Sequence, residues 1–148
     1  MSKPAVAKRS ILAGAIAGLG ATAALAADRA NAVVDCKATT ETLVYDCTIK
    51  LSNARTAAPL EQATLTVGAD MPSMPMAHNV RPVTAKAGAT PGEYQARLAL
   101  EMYGDWAVRL KITGPLRDQL VEVRNFDAAG SGPPRRKAAP PGSSKHKH

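Results

Sequence analysis

The chain has 148 residues, a formal net charge of +7, two cysteines and 3% aromatic residues. Lys3, Lys8 and Arg9 carry three of the positive charges, and Arg135, Arg136, Lys137, Lys145 and Lys147 carry five, which leaves the middle of the chain near −1. The basic balance therefore belongs to the two ends and not to a face of a domain, which argues against nucleic-acid binding. With the ends set aside, about a hundred residues remain, enough for one modest core but not two. Trp106, Phe126, Tyr45, Tyr94 and Tyr103 are the only aromatics. The core must be mainly aliphatic, with Trp106 its largest member.

Residues 1–26 read as a secretory signal peptide. Lys3, Lys8 and Arg9 form a positive n-region, Ile11 to Leu25 is an uncharged run, and Ala24-Leu25-Ala26 supplies a small-residue cleavage site. Cleavage would start the mature chain at Ala27, in the periplasm. The alternative is an uncleaved N-terminal anchor facing the periplasm, although the uncharged run is short for a span and diluted with Gly and Ala. Disulfides persist in that compartment. Cys36 and Cys47 lie in two β-rich segments, Ala32 to Ala38 and Leu43 to Leu51, around a turn at Thr40 and Glu41. A hairpin sets them opposite each other, and a disulfide is the natural inference; the rival is a pair of thiolate metal ligands or a redox pair, which ten intervening residues and an oxidising compartment disfavour.

The domain, residues 27–127, reads as a series of short strands. Ala63, Leu65 and Val67 form one apolar face. Asn79 to Ala87 is a weaker extended piece that Pro82 confines to an edge or a bulge. From Tyr94, alternation places Ala96, Leu98, Leu100 and Met102 with it on one dry face. Gly104-Asp105 then suggests a tight turn, and Trp106, Val108, Leu110 and Ile112 alternate as the second arm of a hairpin. A last strand, Gln119 to Phe126, has Val121 and Val123 on one face. About seven strands with turn clusters between them predict an all-β, immunoglobulin-like Greek-key sandwich.

Between two of these strands lies A-D-M-P-S-M-P-M-A-H-N-V-R, Ala69 to Arg81. Met71, Met74, Met76 and His78 fall within eight residues, interrupted by Pro72 and Pro75. Proline disfavours the α region for the residue before it, so an extended or polyproline path is expected. In an extended path Met74, Met76 and His78 share a face, and a polyproline start adds Met71. Thioether sulfur is a soft, neutral donor suited to Cu(I), and imidazole suits copper in either oxidation state. With both thiols consumed by a disulfide, these are the soft ligands left. The competing reading is a plastic apolar loop that fills a core end or meets a partner.

Residues 128–148, A-A-G-S-G-P-P-R-R-K-A-A-P-P-G-S-S-K-H-K-H, lack strong core-forming side chains and read as a disordered basic tail. Such a tail suits contact with anionic surfaces, and His146 and His148 add weak metal donors. Nothing in the chain has the pattern of a catalytic centre. The domain has one histidine, no free thiol once the bridge forms, no G-x-S-x-G and no Gly-rich phosphate loop.

The D-M-P-x-M-x-M run at Asp70 to Met76, with Gly92, Tyr94, Met102, Gly104 and Trp106 in G-x-Y and M-x-G-x-W, resembles the YtkA-like and FixH-like group of small exported or membrane-tethered domains. The resemblance covers about fifty residues, Thr64 to Pro115. It implies an immunoglobulin-type sandwich and a part in copper handling or in assembly of copper-containing oxidases. FixH-like members usually keep a membrane helix, from which the cleavable-looking segment here departs. The resemblance also implies a geometry: Met102 and the Met71 to His78 loop meet at one end of the sandwich, with Met102 a further thioether. Trp106 is then either a lid over the ion or a core residue. The function expected is a periplasmic Cu(I)-binding protein with a periplasmic or membrane copper enzyme or transporter as partner. The alternative is an accessory module whose methionines contact a redox complex without metal.

Overall fold

The computed structural model describes residues 27–136; the expected signal peptide and the tail histidines lie outside them. Two antiparallel sheets face each other. One has the order β1-β2-β6-β5, formed by Ala30–Ala38, Val44–Asn53, Glu93–Ala99 and Lys86–Ala87. The other has the order β4-β3-β7-β8-β9, formed by Asn79–Thr84, Thr64–Asp70, Gly104–Thr113, Asp118–Phe126 and Ser131–Gly132. This arrangement is the immunoglobulin-like Greek key that the strand count predicts. The two strands beyond seven are the two-residue pieces β5 and β9.

Alternation decides what the sheets bury. Val34, Ile49, Leu51 and Leu98 from one sheet meet Leu65, Val67, Val108, Leu110 and Ile112 from the other, all essentially inaccessible. Each such side chain stabilises by about 1.5–3 kcal/mol on leaving water. Trp106 is the largest member of the core and is wholly buried, as predicted. Tyr45 packs edge-on against Phe126, with ring centroids 4.9 Å apart, and donates its hydroxyl to the Asp127 carbonyl at 2.7 Å. Cys36 lies opposite Cys47 in the β1–β2 ladder, and the two form a disulfide.

Four expectations change. Tyr94 to Met102 and Trp106 to Ile112 are not two arms of a hairpin: β6 and β7 belong to different sheets, and Leu100 to Tyr103 cross between them. A dry face shows that a strand covers the core but not from which side, and both arms are equally satisfied facing each other across it. The dry face also stops at Leu100, so Met102 is partly exposed. Asn79 to Ala87 divides as well. Its first part is an edge strand with a register shift opposite Val67 and Ala69, as Pro82 suggests, and the chain changes sheets at Ala85.

The third change is that Val121 and Val123 face solvent. The opposite side of β8 covers the free edge of β1, where side chains take the place of a ladder. The Asp118 carboxylate accepts the Ala30 N–H at 3.0 Å and Arg29 Nε at 2.9 Å, and Arg124 donates to the Val34 carbonyl. Burial pushes the Asp118 carboxyl up, but the bonds from Ala30, Gln119 and Arg29 outweigh it and hold it below the ordinary range.

Finally, the domain does not end at Asp127. The Asp127 carboxylate accepts the Ala129 and Gly130 N–H groups at 2.8 and 3.1 Å, turning the chain back along β1. Ser131 Oγ then accepts the Cys36 N–H at 2.9 Å, and β9 pairs with β8. Gly130 has φ 155°, and a Cβ there would stand 2.4 Å from the Cys36 carbonyl oxygen. Backbone closure of this kind needs no apolar side chain, so composition alone missed it.

Candidate metal centre

The methionine loop joins β3 to β4 by two consecutive turns and not by an extended path. Met74 N–H donates to the Met71 carbonyl at 3.1 Å, and Ala77 N–H donates to the Met74 carbonyl at 3.2 Å. Each turn has a proline in its second position, where a fixed φ favours turning. Pro75 and Met76 form the centre of the second, and Met76 has φ 72°. That geometry is a type II turn, whose third position usually falls to Gly or Asn. Met74, Met76 and His78 therefore do not share a face by strand alternation.

The four methionines of the described chain have different surroundings. Met71 is 5% exposed and belongs to the core, whereas Met74 is 39%, Met76 93% and Met102 38% exposed. Met71 continues the inward series Leu65, Val67, Ala69 at a spacing of two, and its Cε lies 3.1 Å from where a Cβ on Gly104 would be. Gly104, at φ 139°, leaves that space open to it. Met71 is thus packed into the core at the root of the loop and not displayed on it as the spacing predicts. Asp70, just before it, holds Arg109 of β7 at 2.7 Å and fixes the base of the loop.

His78 ends the loop and is 27% exposed. Its Nδ1 contacts the Glu101 carboxylate, and its ring lies edge-to-face with Trp106, with centroids 6.5 Å apart. Trp106 donates its indole N–H to the Met102 carbonyl at 3.1 Å. The loop and the Glu101 to Tyr103 crossing therefore meet at one end of the sandwich, the geometry that the resemblance implies. Trp106 forms the floor of this end and not a lid, because all of its surface is spent in the core.

Glu101, which the sequence reading did not assign to the site, is the carboxylate that reaches His78. The other two acids at this end are engaged elsewhere, Asp70 with Arg109 and Asp105 with Asn125 Nδ2 at 2.8 Å and the Arg135 N–H at 3.1 Å. Among the described residues no group of three or more His, Cys, Asp or Glu side chains gathers as a metal site. A metal here would have to be held mainly by sulfur, and the accessible donors are Met74, Met76, Met102 and His78. Clefts of the described surface lie around Asp46, Thr48 and Arg97 and around Gly68, Pro82 and Val121. A small molecule usually needs such a concavity, but an ion does not.

The class these features define is a small immunoglobulin-like domain with soft donors on one end loop. Residues 32–111, more than half of the chain, match the YtkA-like family, and the chain belongs to it. No curated protein and no solved structure matches the chain.

Proposed function

We propose that this YtkA-like domain is an exported Cu(I)-binding protein that stores, delivers or sequesters the ion. Its ligands on this reading are Met74, Met76 and His78, with Met102 from the adjoining crossing. The observation that carries it is His78, whose Nδ1 is engaged by Glu101 while no hydrogen bond among the described residues occupies Nε2, at the end of a loop with two exposed methionines. Neutral sulfur with one imidazole is a donor set for monovalent copper and a poor one for Mg²⁺ or Ca²⁺. Met71 supports the loop from below. The protein binds and passes on its cargo without catalysing a reaction, in the periplasm after cleavage at Ala26, and its partner is a periplasmic or membrane copper enzyme or transporter.

The test is an anaerobic competition titration of the mature domain against a Cu(I) chelator. His78→Ala and Met76→Ala should each weaken binding at least tenfold with the fold intact. Unchanged affinity in both removes the site.

A second reading is favoured by the exposure of Met76, an apolar side chain standing almost free in water. In that case the loop is a contact for a membrane or exported redox complex, without metal. Met76→Leu separates the two, since a contact keeps its volume and apolarity whereas a metal site loses its sulfur.

A further inference from the structure

We propose that Glu101 is the positioning residue of the site, holding His78 in the tautomer that offers Nε2 to a soft monovalent cation. The inference rests on the metal reading above and deepens it by naming the ligand atom and the group that sets it.

The backbone around both partners is fixed although Glu101 itself is more than half exposed. Leu100, before it, is buried and donates its N–H to the Leu43 carbonyl at 2.8 Å. Met102, after it, is tied through its carbonyl to the Trp106 indole. His78 stands where the loop rejoins the sheet, next to the Asn79–Asp70 pair of the β3–β4 ladder. Two strand ends that are distant in sequence thus bring one carboxylate to one imidazole. The Trp106 ring beside it restricts the plane of the imidazole.

An ionised carboxylate only accepts hydrogen bonds, so a neutral imidazole facing it carries its proton on Nδ1. The lone pair is then on Nε2. In water the neutral ring prefers the opposite arrangement, so the contact changes which nitrogen can ligate. The carboxylate also makes the imidazole a stronger donor, as such partners do in metal sites generally. Its charge has a further effect: thioethers and a neutral imidazole bring no charge to a monovalent ion, and Glu101 supplies the single negative charge that balances it.

The experiment uses the domain from Ala27 through the tail, with silver(I) as a redox-stable soft ion and ¹⁵N-labelled histidine. In the apo protein His78 should show the Nδ1–H pattern, with Nε2 unprotonated. Glu101→Ala should shift it toward Nε2–H and lower the silver affinity by about 10–100-fold, the usual cost of losing such a partner. Glu101→Gln, whose amide oxygen still accepts from Nδ1, should keep the tautomer and recover part of the affinity. Met76→Ala should lose affinity with the tautomer unchanged. An Nε2–H pattern in the wild type, or silver affinity indifferent to Glu101→Ala, overturns the positioning role and leaves the metal reading standing. A wild-type protein that takes up no silver overturns the metal reading itself and the ligand role of His78 with it, whatever the tautomer.

Discussion

Along β1, donors and acceptors are consumed: Cys36 is bonded to Cys47, Asp118 takes the Ala30 N–H, Arg124 meets the Val34 carbonyl, and Ser131 takes the Cys36 N–H. At the loop end Met74, Met76 and Met102 keep exposed side chains, and His78 uses one nitrogen of two. The first margin is an edge strand that would otherwise be open to pairing with another chain, and it is closed by side chains and a short return strand. The second is held from below by Met71 and Trp106, which leaves the groups above them unspent. One domain thus separates where sulfur stabilises from where it is available.

The largest expected effect breaks the first margin. Replacing Cys36 and Cys47 together by serine should cost about 2–5 kcal/mol of stability, read as a lowered thermal midpoint, with silver affinity in the folded protein unchanged. Next is the contrast within the loop. Met71→Ala should destabilise by about 2–4 kcal/mol through a core cavity, whereas Met76→Ala should move stability by less than about 0.5 kcal/mol. Equal costs at the two positions in chemical denaturation would abolish the distinction drawn between them.

A smaller effect concerns pH. Asp118 has a folded-state pKa below its unfolded value, so its contribution is present above the unfolded pKa, about 4, and is lost as pH falls through the lower folded value. Asp118→Asn should remove about 1–3 kcal/mol at neutral pH and flatten the acid limb of the stability profile. The smallest effect sharpens the loop. Met76→Gly should leave stability unchanged or raise it by up to about 1 kcal/mol, because glycine takes the positive φ of a type II turn without cost, while metal affinity falls.

Some of this was legible in the chain because it is local. The hairpin and its disulfide follow from alternation on both sides of one turn, and the edge position of β4 follows from Pro82. Met71 was also legible, since it continues the spacing of Leu65, Val67 and Ala69, but its closeness to Met74 drew it into the loop. The two turns were not legible, since a proline that disfavours a helix fits an extended path as well as a bend. The misplaced pair β6 and β7 was not, because two strands with one dry face each fit a hairpin and a facing arrangement equally. Glu101 was not either: an acid after an apolar strand looks like surface charge until the fold delivers a histidine to it.

The sequence by itself determined most of the strands, their alternation, the covalent pairing of the cysteines and the crowding of soft donors around two prolines, because each depends on neighbours a few residues apart. Tertiary structure alone decided which sheet each strand joins, which side of β8 turns inward, and that His78 meets Glu101 over Trp106. Those outcomes depend on side chains brought together across the sandwich, and no local period encodes which residues will meet there.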